Sequence, residues 1–466
     1  PEIFRSMGHE LVDQLADYLG TVLRGKSLPP VLPDRNPDEL AAKYRTLLED
    51  RKPFQVRDFF ESVLDDSIHL HHPGYIGHQV SAPAPLGAIA GFFGDLLNNG
   101  SAIFDMGPAN IAMEKILVDL TCRRLGFSND GDGIFTSGGS IGNLTALLAA
   151  VRIRSASGRS SGARLAFLVP EQSHYSIAKS LKIIGVEAVS VPADGVYRMR
   201  LDRLPSLLER ANRAGLKVIG IVANACSTAT GSYDNLEKAA SFSERHGLWL
   251  HVDGAHGAAA VFSDRYRPLL KGIERADSVV IDFHKMLMTP SLVTAVLFRQ
   301  SEHSYRTFAE KASYLWSGEE AGEWFNLSKR TLECTKRSLG LMVFTMLKAY
   351  GKELFTENID YLYELAQSFA SLIHSRDLFE LAMEPQSNIV CFRYQEKGLD
   401  TGRLNRLNER IRDQVVRKGN FYLVQASLRG NLFLRTALMN PFTRIDDLER
   451  LLDEIEQIGS RIADER

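Results

Sequence analysis

Four cysteines in 466 residues, none of them in CxxC spacing, are too few and too scattered for a disulfide framework or a structural zinc site. Cys122, Cys226, Cys334 and Cys391 read as reduced thiols, which sets the expectation of a cytoplasmic protein. An excess of one charge is also missing. Fifty-five basic residues stand against 57 acidic ones, a net charge of −2, so neither nucleic acid nor an anionic membrane surface is expected as a partner. No apolar run is long enough to span a bilayer, and the first residues carry no basic-then-apolar leader pattern. Internal repeats, low-complexity tracts, a GxGxxG turn and a phosphate loop ending in Gly-Lys-Ser/Thr are all lacking. What is left is a chain long enough to bury a large core in two or more subdomains.

The hydrophobic pattern divides that chain. Leu11, Leu15, Leu19 and Leu23 recur at helical spacing and give the first segment one apolar face with no core of its own, so it must pack on something else; a partner subunit suits. A Pro-rich link from Ser27 to Pro37 follows, and Asn36 before Pro37 predicts a helix start. Between Gly133 and Arg299 short β-rich runs alternate with helical ones. Strands are expected at Gly133–Thr136, Leu165–Val169, Val218–Ala223, Leu248–Val252, Val279–Phe283 and Thr294–Phe298, and helices after Ser140, after His174, from Leu201 and after Asp234. That alternation predicts a mainly parallel sheet covered on both faces, with ligands at the carboxyl ends of its strands. A helical stretch around Leu339 to Ala349 leads to a smaller α/β part, with strands near Ile389–Tyr394, Phe421–Gln425 and Leu432–Ala437 and a closing helix from Thr443.

Each chemically suggestive motif falls at or just after one of these strand ends. Asp282, His284 and Lys285 follow an apolar strand; a desolvated lysine has a depressed pKa and forms an imine with an aldehyde. His251, Asp253 and His256 follow the preceding strand. Asp253 suits the acid that a pyridine nitrogen needs, although the three side chains also fit a metal site, and a buried loop-capping Asp is a third reading. Ser137-Gly138-Gly139-Ser140 joins a strand to an apolar helix, where free amides can hold an anion; a simple turn reads equally well. His174 can stack on a flat ring or cap the next helix. Ser227 and Thr228 offer hydroxyls in a polar turn. Together they supply a phosphate cup, a ring-stacking group, a ring-nitrogen acid and an imine-forming lysine.

On these residues the sequence resembles the group II pyridoxal-5′-phosphate (PLP)-dependent amino-acid decarboxylases, from about His72 to the end. The resemblance is carried by His284-Lys285, by His251-Val252-Asp253, by the Ser137-Gly138-Gly139-Ser140 turn, by His72-Pro73 and Asn440-Pro441, and by the stretch from Arg330 to Arg337. Gly77-His78-Gln79 and Phe104 to Pro108 look most like the L-2,4-diaminobutyrate decarboxylases. The resemblance implies an α/β fold of the aspartate aminotransferase type (fold type I). Its parts would be an N-terminal helical arm (1–71), a large PLP-binding domain with a mainly parallel seven-stranded-type sheet (72–345) and a small C-terminal α/β domain (346–466). It implies that Lys285 carries the cofactor, that Asp253 pairs with its ring nitrogen and that His174 stacks on it. Gly138, Gly139, Ser140, Ser227, Thr228, Ala255, Asp282 and His284 would complete the PLP site. Arg435 would take the substrate α-carboxylate, with His78 and Phe104 in the substrate pocket, Phe104 from the partner of a homodimer. No metal is expected.

The resemblance has gaps. Many members carry Asn where this chain has Asp282, a second acid near the phosphate, as well as Gly for Cys226 and Ala for Gly254. In the family's active-site loop, roughly Tyr314 to Leu327, a proton-donating tyrosine has no secure counterpart; Tyr314 precedes it, and Trp324 and Phe325 lie nearer its place. The expected reaction is decarboxylation of an L-α-amino acid to its amine, with 2,4-diaminobutyrate first and an aromatic substrate as the alternative. Decarboxylation coupled to oxidative deamination is the rival within PLP chemistry, ahead of an aminotransferase. An inactive PLP-binding protein and a metal hydrolase at His251, Asp253 and His256 stand outside it.

Overall fold

The structure, a computed structural model, describes residues 1–24, 28–156, 164–308 and 323–464. The chain folds as two compact units, one of residues 83–363 and 385–387, the other of residues 1–82, 364–384 and 388–466. Among the described residues no helix is long and apolar enough to cross a membrane.

The larger unit is built on a seven-stranded sheet: β1 (Asp132–Thr136), β2 (Arg164–Pro170), β3 (Glu187–Val191), β4 (Leu216–Asn224), β5 (Trp249–Asp253), β6 (Ser278–Asp282) and β7 (Thr294–Phe298). Its order is β1-β7-β6-β5-β4-β2-β3, and all pairs are parallel except those that β7 makes with β1 and β6. Every residue of β1, β5, β6 and β7 is buried, in keeping with mainly apolar strands covered on both faces. The strand β3 has no such run. It lies at the sheet edge with exposed Glu187, Ala188 and Ser190, so the apolar signal that marked the other strands is absent.

The residues from Arg330 to Lys336 secure β1. Arg330 donates to the Gly133 carbonyl at 2.8 Å and pairs with Asp132 at 2.9 Å. Lys336 Nζ donates to the Phe135 carbonyl and to Glu114, both at 2.5 Å, and Glu114 in turn accepts the Phe135 amide at 2.8 Å. These buried groups pair with one another, which fixes the strand that leads into the Gly-rich turn.

The smaller unit contains an antiparallel sheet of order β10-β11-β9-β8, made of β8 (Phe379–Leu381), β9 (Ile389–Tyr394), β10 (Val424–Leu428) and β11 (Asn431–Ala437). The strand expected at Phe421–Gln425 begins three residues later. Tyr422 is drawn off to the segment around Tyr75: its amide donates to the Gly74 carbonyl, its carbonyl accepts from Ile76, and the two tyrosine rings stack 5.8 Å apart. Asn440 donates to the Leu70 and His72 carbonyls, so His72-Pro73 and Asn440-Pro441 form one structural joint. Asn36 caps the Pro37–Glu49 helix by accepting from the Asp38 and Glu39 amides.

Candidate active site

The carboxyl ends of β2, β4, β5 and β6, with the turn after β1, converge on a cavity of about 350 Å³ in the larger unit. It is lined by residues from all five segments, among them Gly138, Gly139, Ser140, His174, Thr228, Asp253, Ala255, Asp282, His284 and Lys285.

The turn after β1 opens the 18-residue helix Gly139–Ala156. Gly138 has φ +104°, a conformation that side chains rarely adopt, and it turns the chain so that the unpaired amides of the helix start border the cavity. At that end the aligned peptide dipoles favour an anion.

The turn after β6 delivers Lys285. Its Nζ lies 2.9 Å from Asp282 Oδ2, while His284 Nε2 is 3.8 Å from the same oxygen. Thr294, at the start of β7 and paired with Asp282 across the sheet, donates its hydroxyl to Oδ1 at 2.5 Å. Burial alone would raise the Asp282 carboxyl. Lys285 first, then His284 and the Thr294 hydroxyl, outweigh it and hold the group below the usual carboxylate value.

At the end of β5, Asp253 is 6% exposed, and no lysine or arginine among the described residues pairs with it. Its Oδ1 accepts the Ala255 amide at 3.3 Å and its Oδ2 accepts Asn143 Nδ2 at 3.1 Å. Asn143 Nδ2 also donates to Ser176 Oγ, and its Oδ1 lies 3.0 Å from His251 Nε2. Since the amide oxygen can only accept, His251 carries its proton on Nε2, and its Nδ1 accepts from Ser278 Oγ at 2.9 Å. Burial pushes the His251 imidazole down to about 4, against the pull of Asp253, so the ring is neutral at neutral pH. Both of its nitrogens are engaged in this chain, and no group of three His, Cys, Asp or Glu among the described residues is arranged to hold a metal.

His174 caps the helix Tyr175–Ile183, with Nδ1 accepting the Ser176 amide at 3.3 Å, and it lines the cavity as well. The cap leaves Nε2 to carry the ring proton. Burial lowers its pKa, with Asp253 opposing and Lys285 reinforcing the shift. Thr228 and Cys226 reach the cavity from the turn after β4. Ser227 does not; its hydroxyl meets Thr230 at 2.8 Å and accepts the Ser232 amide, closing that turn. At Gly254 a Cβ would come 2.5 Å from the Ala258 Cβ and 2.8 Å from the Val280 carbonyl, so the close approach of this segment accounts for glycine there.

Phe104 lies in a short 3-10 turn, half-exposed, its ring 6.0 Å from Phe325 and outside the cavity lining. Arg435 and His78 belong to the smaller unit. Arg435 is buried on β11 with Nη1 3.3 Å from the Gly77 carbonyl, and His78 is tilted against Tyr422 with ring centroids 5.6 Å apart. Burial, then Arg435 and Arg412, lower the His78 pKa. Tyr314 lies outside the described residues. Sequence reasoning did not single out Asn143, although it stands in the Gly-rich motif.

The donor set fits a flat, phosphate-bearing pyridine aldehyde. A buried carboxylate without a cation suits a protonated ring nitrogen, the glycine turn at a helix start suits a phosphate, and a lysine shares the cavity.

Residues 61–395 match the model of the pyridoxal-dependent decarboxylase conserved domain. An aromatic-L-amino-acid decarboxylase of Bacillus atrophaeus is 26% identical over 99% of this chain and 96% of its own length. An L-2,4-diaminobutyrate decarboxylase of Acinetobacter baumannii is 27% identical over 88% of this chain and 84% of its own. The crystal structure of mouse CSAD in apo form superposes with a TM-score of 0.88 at 26% identity, covering 98% of this chain and 99% of that one.

Proposed function

This chain belongs to the pyridoxal-dependent decarboxylase family and is a PLP-dependent amino-acid decarboxylase, and from that premise we propose that it converts a polar L-α-amino acid to its amine, with L-2,4-diaminobutyrate the first substrate to try. The observation that carries the reading is the meeting of Lys285, Asp253, His174 and the glycine cup in one cavity.

The bound cofactor supplies an electron sink for the pair left on the α-carbon when carbon dioxide departs. Lys285 is the amine that holds its aldehyde carbon. Asp253 accepts from the ring nitrogen and favours its protonated form, while Asn143 fixes the carboxylate angle. His174, its ring oriented by the helix cap, would stack on the cofactor ring, and Ala255 would border it. The amides of Gly139 and Ser140, with the Thr228 hydroxyl, would hold the phosphate, while Gly138, whose own amide donates to the Thr136 carbonyl at 3.0 Å, shapes the cup; Ser227 is left to its turn. Before the cofactor is bound, Asp282 pairs with the Lys285 amine, with His284 beside it.

The remaining roles rest on the family resemblance. On that resemblance Arg435 would take the substrate α-carboxylate and so orient the substrate. His78 and Phe104 border the substrate side chain. A homodimer is supported by exposed apolar residues on two helices: Ile3, Met7, Val12, Leu15 and Leu23 on Glu2–Arg24, and Ile89, Phe93, Leu96 and Leu97 on Pro85–Leu97.

The test is a visible absorbance spectrum of the purified protein, borohydride fixation of the cofactor, and carbon dioxide release across diamino, acidic and aromatic L-amino acids. Label on Lys285 and carbon dioxide from a polar substrate are expected. Release from aromatic substrates alone overturns the substrate assignment. Peroxide and ammonia at each turnover show an aldehyde product in place of an amine. No band after soaking with PLP overturns the site.

A further inference from the structure

The cup contains an acid. Asp282 ends β6 with its side chain almost fully buried, and both carboxylate oxygens stand 3.2 Å from the point where a Cβ on Gly139 would lie. The acid is therefore set against the first residue of the helix whose free amides form the cup. Its own turn brings Lys285 to 2.9 Å and His284 to 3.8 Å, and β7 brings the Thr294 hydroxyl to 2.5 Å. The segment after β5 accepts the Asp282 amide through the Ala255 carbonyl at 3.2 Å. Asp253 and His256 from that segment and His174 from the turn after β2 line the same cavity, and Ser137 at the rim donates to Glu333.

Cations are scarce here. Among the described lining residues there is no arginine, and Lys285 is the only lysine. While its amine is an ammonium, Lys285 neutralises Asp282. Once that amine is committed to the cofactor's aldehyde, Asp282 loses this partner. A phosphate dianion would then share the cup with a buried carboxylate, offset by the partial charge of about +0.5 at a helix start and by His284 at 3.8 Å only when its ring is protonated. Like charges this close in a desolvated site do not both stay ionised; a proton is taken up between them.

We propose that Asp282 and the cofactor phosphate share one proton drawn from water, so that the cup holds the phosphate as a monoanion hydrogen-bonded to the carboxylate. This rests on the PLP reading of the cavity. An asparagine at this position would donate an N–H to a dianion; the aspartate requires the extra proton.

Phosphorus-31 NMR of the loaded, full-length protein across about pH 6 to 8.5 tests it, because a free phosphate monoester loses its second proton near about pH 6. The wild-type signal is expected to keep the monoanion position to at least about one pH unit higher, and that of Asp282→Asn to reach the dianion position by about pH 7. Cofactor loss on dialysis is expected to quicken with pH in the wild type and to stay level in Asp282→Asn. A wild-type signal already dianionic at about pH 7 overturns the proposal, and that spectrum decides even if the variant fails to fold. Equal titration in the two proteins overturns it as well. A wild type that takes up no PLP overturns the cavity reading along with it, which sets that failure apart from the others.

Discussion

Replacing Asn143 by leucine removes the amide that donates to Asp253 Oδ2 at 3.1 Å and faces His251 Nε2 at 3.0 Å. A buried hydrogen bond to a charged group contributes about 1.5–3 kcal/mol, so cofactor affinity is expected to fall roughly ten- to a hundredfold while Lys285 is still labelled by borohydride. Fluorescence titration with PLP measures it; unchanged affinity would show that Asp253 needs no positioning. His251 gives a pH prediction. Its pKa falls from 6.5 to about 4 on folding, so between those values the unfolded chain binds more protons and stability rises with pH. About 3 kcal/mol should be lost as pH drops through that window. Urea unfolding at several pH values should show a shallower acid loss in His251→Gln than in wild type, and equal slopes would refute the assignment. At this scale the sequence marked Lys285, Asp253 and His174, at or just after strand ends, which one cavity brings together. It was silent on Asn143, whose partners His251 and Asp253 are 108 and 110 positions away. Ser227 and Thr228 are neighbours with the same chemistry, and only the closed turn separates them.

Helices and strands were legible in proportion to their burial. The six strands expected of the large sheet all form, within two residues of their expected ends, because a strand covered on both faces must be largely apolar. The edge strand β3 and the displaced start of β10 depend on neighbours that no local pattern announces. The helix Pro85–Leu97 shows the converse case, apolar residues left outside. Ile89, Phe93, Leu96 and Leu97 recur at helical spacing on one exposed face. If that face is the subunit interface, Leu96→Asp should turn dimer into monomer in sedimentation velocity with helix content unchanged. An unaltered sedimentation coefficient would place the interface elsewhere.

Over the whole chain, motifs spread across more than a hundred positions fall into one cavity because parallel strands end on the same side of the sheet. A cofactor held as proposed would be a stabilising ligand, since the cavity is lined by the turns that follow four strands and the β1 turn. With PLP at about a thousand times its Kd, unfolding should be harder by about 4 kcal/mol, seen as a higher calorimetric Tm. A Tm that ignores PLP would mean that the cavity is formed without contributing to binding.

The reversed direction of β7 has one more consequence. It makes β6 and β7 a hairpin whose tip carries Lys285, and that tip is tied on every side: Phe283 donates to the Val293 carbonyl at 2.9 Å, Met288 to Lys285 at 3.1 Å, Asn358 to Met286 at 2.8 Å and Ala84 to Met288 at 2.9 Å. The backbone beneath the lysine is a fixed post. If Lys285 carries the cofactor as proposed, passage of its amine from Asp282 to an incoming carbonyl would be a swing of its own four-carbon tether.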